Sequence, residues 1–201
     1  MKYRSRRLWH VSHPSAAPQP HQHRGNLSPH QLIQRLRSVK LLVCDVDGVL
    51  TDGKVLISEK GESKQFCIQD GLAMRLCRLA GLKVAWVSAR PSPATDKRAK
   101  ELKIDFVIQT QTSKVSVVQD ILEQLQLSWN STAFIGDDIV DLAAMNKARL
   151  AVAPANACLE VKTSAHFVTE HFGGEGAVRE MVEKILKSQG KWDKIIKDFG
   201  R

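Results

Sequence analysis

The chain has 201 residues, 43% of them hydrophobic and 25% charged, which is enough for one domain with a sizeable core. Its uncharged apolar runs reach about five to seven residues, against the roughly 20 of a membrane-spanning helix, so a spanning segment is excluded. The formal net charge of +9 is uneven: residues 1 to 44 hold eight Lys/Arg and no acidic residue, leaving 22 basic against 21 acidic residues beyond. A nearly neutral remainder lacks the basic field of a nucleic-acid surface, so nucleic acid is not an expected partner.

Residues 1 to 27 place Pro14, Pro18, Pro20 and Gly25 among Ser, Gln and His. Such a stretch buries too little apolar surface to offset its ordering entropy and predicts a disordered extension, with the domain over residues 28 to 201. Its Arg-rich, acid-free composition is also that of a transit peptide, and it lacks the apolar core of a secretory signal. Cys44, Cys67, Cys77 and Cys158 show no CxxC or zinc spacing and read as reduced thiols of a cytoplasmic protein.

Ser28-Pro29-His30-Gln31 opens a helix through about Arg37, with an N-cap, a proline at the first helical position and Gln three residues after the cap. The run Val39 to Cys44 is a strand buried on both faces. Lys54 to Ser58 and Ser63 to Cys67 flank Glu59-Lys60-Gly61-Glu62 as a hairpin. Asp70 is placed to cap a helix burying Leu72, Leu76, Leu79 and Ala80, ended by Gly81.

Further strands are predicted at Lys83 to Ser88, Phe106 to Ile108, Thr132 to Gly136, Leu150 to Ala153 and His166 to Val168. Between them lie helices from Pro93 to about Leu102, from Ser113 with Val115, Val118, Leu122 and Leu125 inward, and over about 139 to 146. A last helix turns Ala177, Val178, Met181, Val182, Ile185 and Leu186 inward, and Trp192, Ile195, Ile196 and Phe199 form an apolar stripe in the tail, either on their own subunit or on a neighbour. This alternation specifies an α/β fold: a three-layer, Rossmann-like, doubly wound parallel sheet with a small β-hairpin insertion and no large cap domain.

In that fold Asp45, Ser88, Lys114 and Asp137 come from different strand-to-helix connections and meet at the carboxyl edge of the sheet. Asp45 supplies a carboxylate nucleophile, and Asp47, two residues on, can protonate a leaving oxygen and then activate water. Asp137 and Asp138 are oxygen donors suited to Mg²⁺, while Ser88 and Lys114 would hold the oxygens of a transferring phosphoryl group. Singly, each piece has an ordinary reading. Asp-x-Asp-Gly occurs in turns and calcium loops, a serine after a strand caps helices, and a lone lysine is a solvated charge. An EF-hand fails here because Leu56 stands where its Glu ligand belongs. The ordered set after successive strands carries the argument.

Asp45-Val46-Asp47-Gly48-Val49-Leu50-Thr51, Ser88, Lys114 and Gly136-Asp137-Asp138 with Asp141 resemble the four motifs of the haloacid dehalogenase superfamily of phosphatases. Asp52-Gly53, Asp70-Gly71, Arg90 before Ser92-Pro93, the segment Arg98 to Leu102 and the segment Gly173 to Glu180 further resemble its 3-deoxy-D-manno-octulosonate 8-phosphate phosphatases, over about residues 39 to 192.

The resemblance implies hydrolysis of a sugar-acid phosphate in lipopolysaccharide precursor synthesis, with Asp45 forming a phosphoaspartate and Asp47 as acid and base. It implies Mg²⁺ on the Asp45 side chain, the Asp47 main-chain carbonyl and Asp137, with Asp138 and Asp141 in the outer shell. Substrate contacts would fall on Asp47, Cys67, Ile68, Gln69, Asp70, Gly71, Arg75, Arg90, Arg98 and Lys114. A homotetramer is implied, in which hairpins pack together and a neighbour closes the site; the hairpin face of Val55, Ile57 and Phe66 reads either as that interface or as packing on its own core.

Two segments depart from the pattern: Gln69 stands where an arginine is usual, and Ser88-Ala89-Arg90 replaces Thr-Gly-Arg. Competing readings are a phosphatase for a related keto-sugar acid phosphate, a catalytically silent oligomerisation or regulatory module of the same fold, and a nucleic-acid binder using the basic arm. Gly173-Gly174-Glu175-Gly176 reads as an anion cradle or a plain helix start.

Overall fold

A computed structural model describes residues 27 to 59 and 61 to 199. Except for Leu27, the expected disordered extension lies outside the described residues.

Six parallel strands form one sheet in the order β5-β4-β1-β6-β7-β8. They are β1 (Leu41–Cys44), β4 (Lys83–Ser88), β5 (Phe106–Gln109), β6 (Thr132–Ile135), β7 (Leu150–Ala153) and β8 (Phe167–Val168). A separate antiparallel pair, β2 (Leu56–Ser58) and β3 (Gly61–Ser63), makes the hairpin. Helices α1 (Pro29–Ser38), α2 (Ile68–Leu79), α3 (Pro93–Leu102), α4 (Lys114–Leu125), α5 (Leu142–Lys147), α6 (Leu159–Ser164), α7 (Ala177–Ser188) and α8 (Trp192–Phe199) complete the described fold.

All four residues of β1 are buried because both faces of the strand are covered. Leu42 and Cys44 enter the core beneath α1, α2 and α7, whereas Leu41 and Val43 enter the core beneath α4, α5 and α6. This two-sided burial removes the polar alternation of a half-exposed strand. After β1 the chain builds β4 and β5 on one side, then crosses to β6 on the other. The crevice at the carboxyl ends of β1 and β6 is therefore the topological switch point, where ligands bind in open α/β sheets.

Ser28 caps α1 through the reciprocal pair with Gln31, and all six inward residues predicted for α7 are buried. Four expectations need correction. α2 begins at Ile68 with Cys67 as N-cap, not at Asp70. It buries Ala73, Met74, Leu76 and Cys77 while Leu72 and Leu79 stay exposed, because its contact with α7 selects a face rotated from the predicted leucine stripe. The hairpin ladder pairs Leu56 with Ser63 and Ser58 with Gly61, so β3 starts inside the predicted turn. Helix α6 carried no periodic signal across its six residues and went unpredicted.

Of the two readings of the hairpin face, Phe66 takes the second: it stacks on Trp86 with ring centroids 6.1 Å apart and packs on its own core. The tail helix α8 folds back on the same chain through buried Ile195 and half-buried Trp192, while Ile196 and Phe199 remain exposed. Among the described residues no helix is long and apolar enough to cross a membrane.

Candidate active site

Asp45 follows the last residue of β1, and its backbone N–H extends the pairing by donating to the Ile135 carbonyl at 3.0 Å. That registration brings it beside Asp137, just past β6. Lys114, the first residue of α4, lies between two carboxylates: its Nζ is 2.8 Å from Asp45 Oδ1 and 2.6 Å from Asp141 Oδ1. All three side chains are at least nine-tenths buried. The second Asp141 oxygen accepts the backbone N–H groups of Asp137 (3.0 Å) and Asp138 (3.3 Å), which fixes the turn carrying both.

Burial, with the Asp141 charge added, pushes the Asp45 carboxyl up to about 6 against the pull of Lys114. Burial together with Asp45 and Asp141 pushes Asp137 up to about 7. Burial also opposes the Lys114 ammonium, but the two carboxylates outweigh it and raise its pKa. One lysine among three carboxylates leaves an excess of negative charge at this edge.

The donor set fits a hard divalent cation. One oxygen from each of Asp45, Asp137 and Asp141 lies within 4.8 Å of the others, and Asp137 Oδ1 is buried without a hydrogen-bond partner. Gly48, at φ +80°, makes room for this arrangement: a Cβ there would sit 2.0 Å from Asp137 Oδ2. Asp138 was expected in the outer shell, and its Oδ1 accepts the Ile139 N–H at 2.7 Å as the cap of the turn Ile139–Asp141.

Asp45, Asp47, Ser88, Arg90, Lys114, Asp137 and Asp138 line one cavity of about 290 Å³. Ser88 is buried at the end of β4, its Oγ accepting the Arg90 N–H at 3.1 Å. Arg90 pairs with Glu62 of β3 at 2.5 Å.

The other expected substrate residues lie elsewhere in the chain. Ile68, Gly71, Arg75 and Arg98 line a separate groove of about 300 Å³ with Arg78 and Glu101. In it Arg98 pairs with Glu101 at 2.9 Å, and the Arg75 guanidinium stacks 5.1 Å over the Phe199 ring. Cys67 is the N-cap of α2 and Gln69 is exposed beside it. Asp70 is buried, and its carboxylate accepts the N–H groups of Arg179 (2.7 Å) and Gly176 (3.3 Å). It therefore caps α7 from a distance rather than α2.

Two residues of the site escaped sequence reasoning. Lys64 pairs with Asp47 at 2.7 Å. Asn156 donates to the Gly48 carbonyl at 3.0 Å and accepts the Gly173 N–H at 2.6 Å, joining the aspartate loop to the glycine-rich turn. Neither has a local signal beyond an isolated polar residue in a hairpin and in a turn. The glycine-rich turn packs against the aspartate loop: a Cβ at Gly173 would lie 1.8 Å from the Gly48 carbonyl oxygen, and Gly174 N–H donates to the Val49 carbonyl at 3.0 Å.

A parallel sheet with a buried Asp-Lys-Asp cluster and a second aspartate strand at its switch point defines a hydrolase of the haloacid dehalogenase-like class, and a family model of that description matches residues 104–181. The chain is 36% identical over 170 residues to the 3-deoxy-D-manno-octulosonate 8-phosphate phosphatase KdsC of Salmonella typhimurium, covering 84% of this chain and 90% of that one. It is 35% identical to the 3-deoxy-D-manno-octulosonate 8-phosphate phosphatase of Moraxella catarrhalis, solved with a magnesium ion, a phosphate ion and a KDO molecule. That superposition has a TM-score of 0.83 over 86% of this chain and 99% of the other. The cobalt-bound phosphatase YrbI of Haemophilus influenzae superposes with a TM-score of 0.76 at 38% identity, covering 79% of this chain and 93% of the other. The chain belongs to the 3-deoxy-D-manno-octulosonate 8-phosphate phosphatase family, and it is a phosphatase.

Proposed function

We propose that this phosphatase hydrolyses 3-deoxy-D-manno-octulosonate 8-phosphate to the free sugar acid and phosphate, with Mg²⁺ as cofactor and Asp45 as nucleophile. The observation that carries the reading is the cluster of Asp45, Lys114, Asp137 and Asp141, the first three of which line the cavity. An Asp45 oxygen attacks phosphorus, the bond to the sugar oxygen breaks, and Asp47 gives that oxygen its proton. Asp47 then takes a proton from water as the water attacks the phosphoaspartate, which restores Asp45 and releases phosphate. Lys114 and Ser88 line the same cavity and suit the transferring oxygens. Asp45, the Asp47 main-chain carbonyl and Asp137 would hold Mg²⁺, with Asp138 and Asp141 behind them. Bound there, the ion offsets the repulsion between carboxylate and phosphate.

A related keto-sugar acid phosphate is the second reading, favoured by Gln69, which provides no guanidinium for the substrate carboxylate. A silent module is disfavoured because Asp45, Asp47, Ser88, Lys114 and Asp137 are all present and, on this reading, share one cavity. The exposed Leu56 and Ile57 on the hairpin support the homotetramer, and the free cysteines agree with a reducing cytoplasm.

The test is phosphate release from a panel of sugar phosphates with Mg²⁺ or EDTA, beside Asp45→Asn. Mg²⁺-dependent preference for the octulosonate, lost in the variant, is expected. Broad weak activity favours the second reading, and appreciable turnover by a folded Asp45→Asn protein overturns the covalent mechanism.

A further inference from the structure

Lys64 follows β3, and its side chain is wholly shielded from solvent. Its ammonium lies 2.7 Å from Asp47 Oδ1 and 2.9 Å from Asp47 Oδ2. Taking an ammonium out of water is costly unless it is paired and hydrogen-bonded, and Asp47 is the acidic side chain against it. The terminal torsion of an aspartate is broad when nothing restrains it. Here the ammonium meets both oxygens, so turning the carboxyl group lengthens at least one contact. The far side of the ammonium is held by Thr95 of α3, whose Oγ1 is 3.4 Å away and which is itself buried. Two residues earlier, Glu62 ties the same strand to Arg90. The hairpin is thus joined to the cavity at two points.

We propose that Lys64 is a positioning residue for Asp47: it sets the plane and direction of the carboxyl group that handles the proton, and it makes the hairpin part of the catalytic apparatus. The inference rests on the reading of Asp47 as proton carrier. General acid and base catalysis contributes about 10²–10⁴-fold, and a misdirected group forfeits much of it. Lys64→Met should therefore lower kcat on a sugar phosphate by about 100-fold while KM changes by less than about threefold.

The experiment is a double-mutant cycle in the Mg²⁺-loaded full chain: kcat and KM for wild type, Lys64→Met, Asp47→Asn and the double variant, with melting temperatures. If Lys64 acts only through Asp47, the double variant is no slower than Asp47→Asn alone. Removing both charges leaves neither buried and unpaired, so the double variant folds even where Lys64→Met does not. In that case Thr95→Val, which keeps the ion pair and removes its second anchor, should lower kcat by about three- to tenfold.

Wild-type kcat in a folded Lys64→Met protein overturns the proposal, as does wild-type kcat in Thr95→Val where Lys64→Met fails to fold. So does a raised KM at unchanged kcat, which makes Lys64 a substrate contact, or a double variant at least about tenfold slower than Asp47→Asn. Turnover by Asp45→Asn would sink the phosphoaspartate reading alone, because the cycle still reports whether Lys64 and Asp47 act as a unit.

Discussion

Lys114 Nζ lies 2.8 Å from Asp45 Oδ1 at the buried edge of the sheet, and the same ammonium serves Asp141 at 2.6 Å. Breaking a buried pair leaves a charge without its partner, at a cost of about 3–5 kcal/mol. Lys114→Met is therefore expected to lower the urea-unfolding free energy of the metal-free protein by about 3 kcal/mol. Turnover should fall by about 10²–10³-fold, the size of losing one donor to a developing negative charge. A variant of wild-type stability would show that the Lys114 ion pairs contribute nothing to folding.

The raised carboxyls give the metal-free protein a distinctive pH dependence. Asp45 near 6 and Asp137 near 7 hold protons in the native state that the unfolded chain releases at its ordinary value of about 4. Between about pH 4.5 and pH 7.5 the native state binds the more protons, so these two groups make stability fall as pH rises. Thermal unfolding in EDTA should show this slope, and Asp137→Asn should flatten it. A slope unchanged in that variant would remove Asp137 as its source.

Magnesium should act in the opposite sense along the same axis. It binds ionised carboxylates, so the rise in melting temperature on adding Mg²⁺ is expected to be larger at pH 7.5 than at pH 5. Equal shifts at both pH values would place the ion away from the aspartate cluster.

Gly48 tests the packing of the cluster. A methyl group there meets Asp137 Oδ2 at 2.0 Å on a backbone at φ +80°, so the carboxylate must move or the loop must open. Gly48→Ala should weaken the Mg²⁺-dependent thermal shift by at least half and lower turnover by about 100-fold, since small misplacements of reacting groups carry penalties of that order. Retention of both would show that the loop relaxes freely.

Asp70 separates structure from chemistry. Its carboxylate caps α7 through Gly176 and Arg179, and losing a cap of this kind costs about 1–2 kcal/mol. Asp70→Ala is expected to melt earlier while kcat/KM, measured well below the transition, stays within about twofold. A large rise in KM with little loss of stability would return Asp70 to the substrate contacts that the family resemblance implied.

Much of the scaffold was legible because its causes are local. The runs at β1, β4 and β7 are apolar without alternation since both sheet faces are covered, and the Ser28 to Gln31 capping pair lies within one turn. The inward face of α7 follows directly from its helical period. Asp45 and Asp137 were readable as candidate site residues since each follows such a strand, and the topology of a parallel sheet brings strand ends together.

What the linear pattern could not carry were choices made between distant segments. The leucine stripe of α2 looked like its buried face, but contact with α7 selected Ala73, Met74 and Cys77. Asp70 had the local look of a cap, yet its partners lie more than 100 positions away at Gly176 and Arg179. Arg75 and Arg98, grouped with the site by resemblance, line a different groove of the same chain. The sequence alone determined the strands, their order of chemistry and the carboxylates at their ends, because strand burial and capping are short-range effects. Only the tertiary structure decided that Lys64 faces Asp47, that Lys114 sits between Asp45 and Asp141, and that Gly48 must lack a side chain. Those contacts join residues whose separation in the chain holds no record of their distance in space.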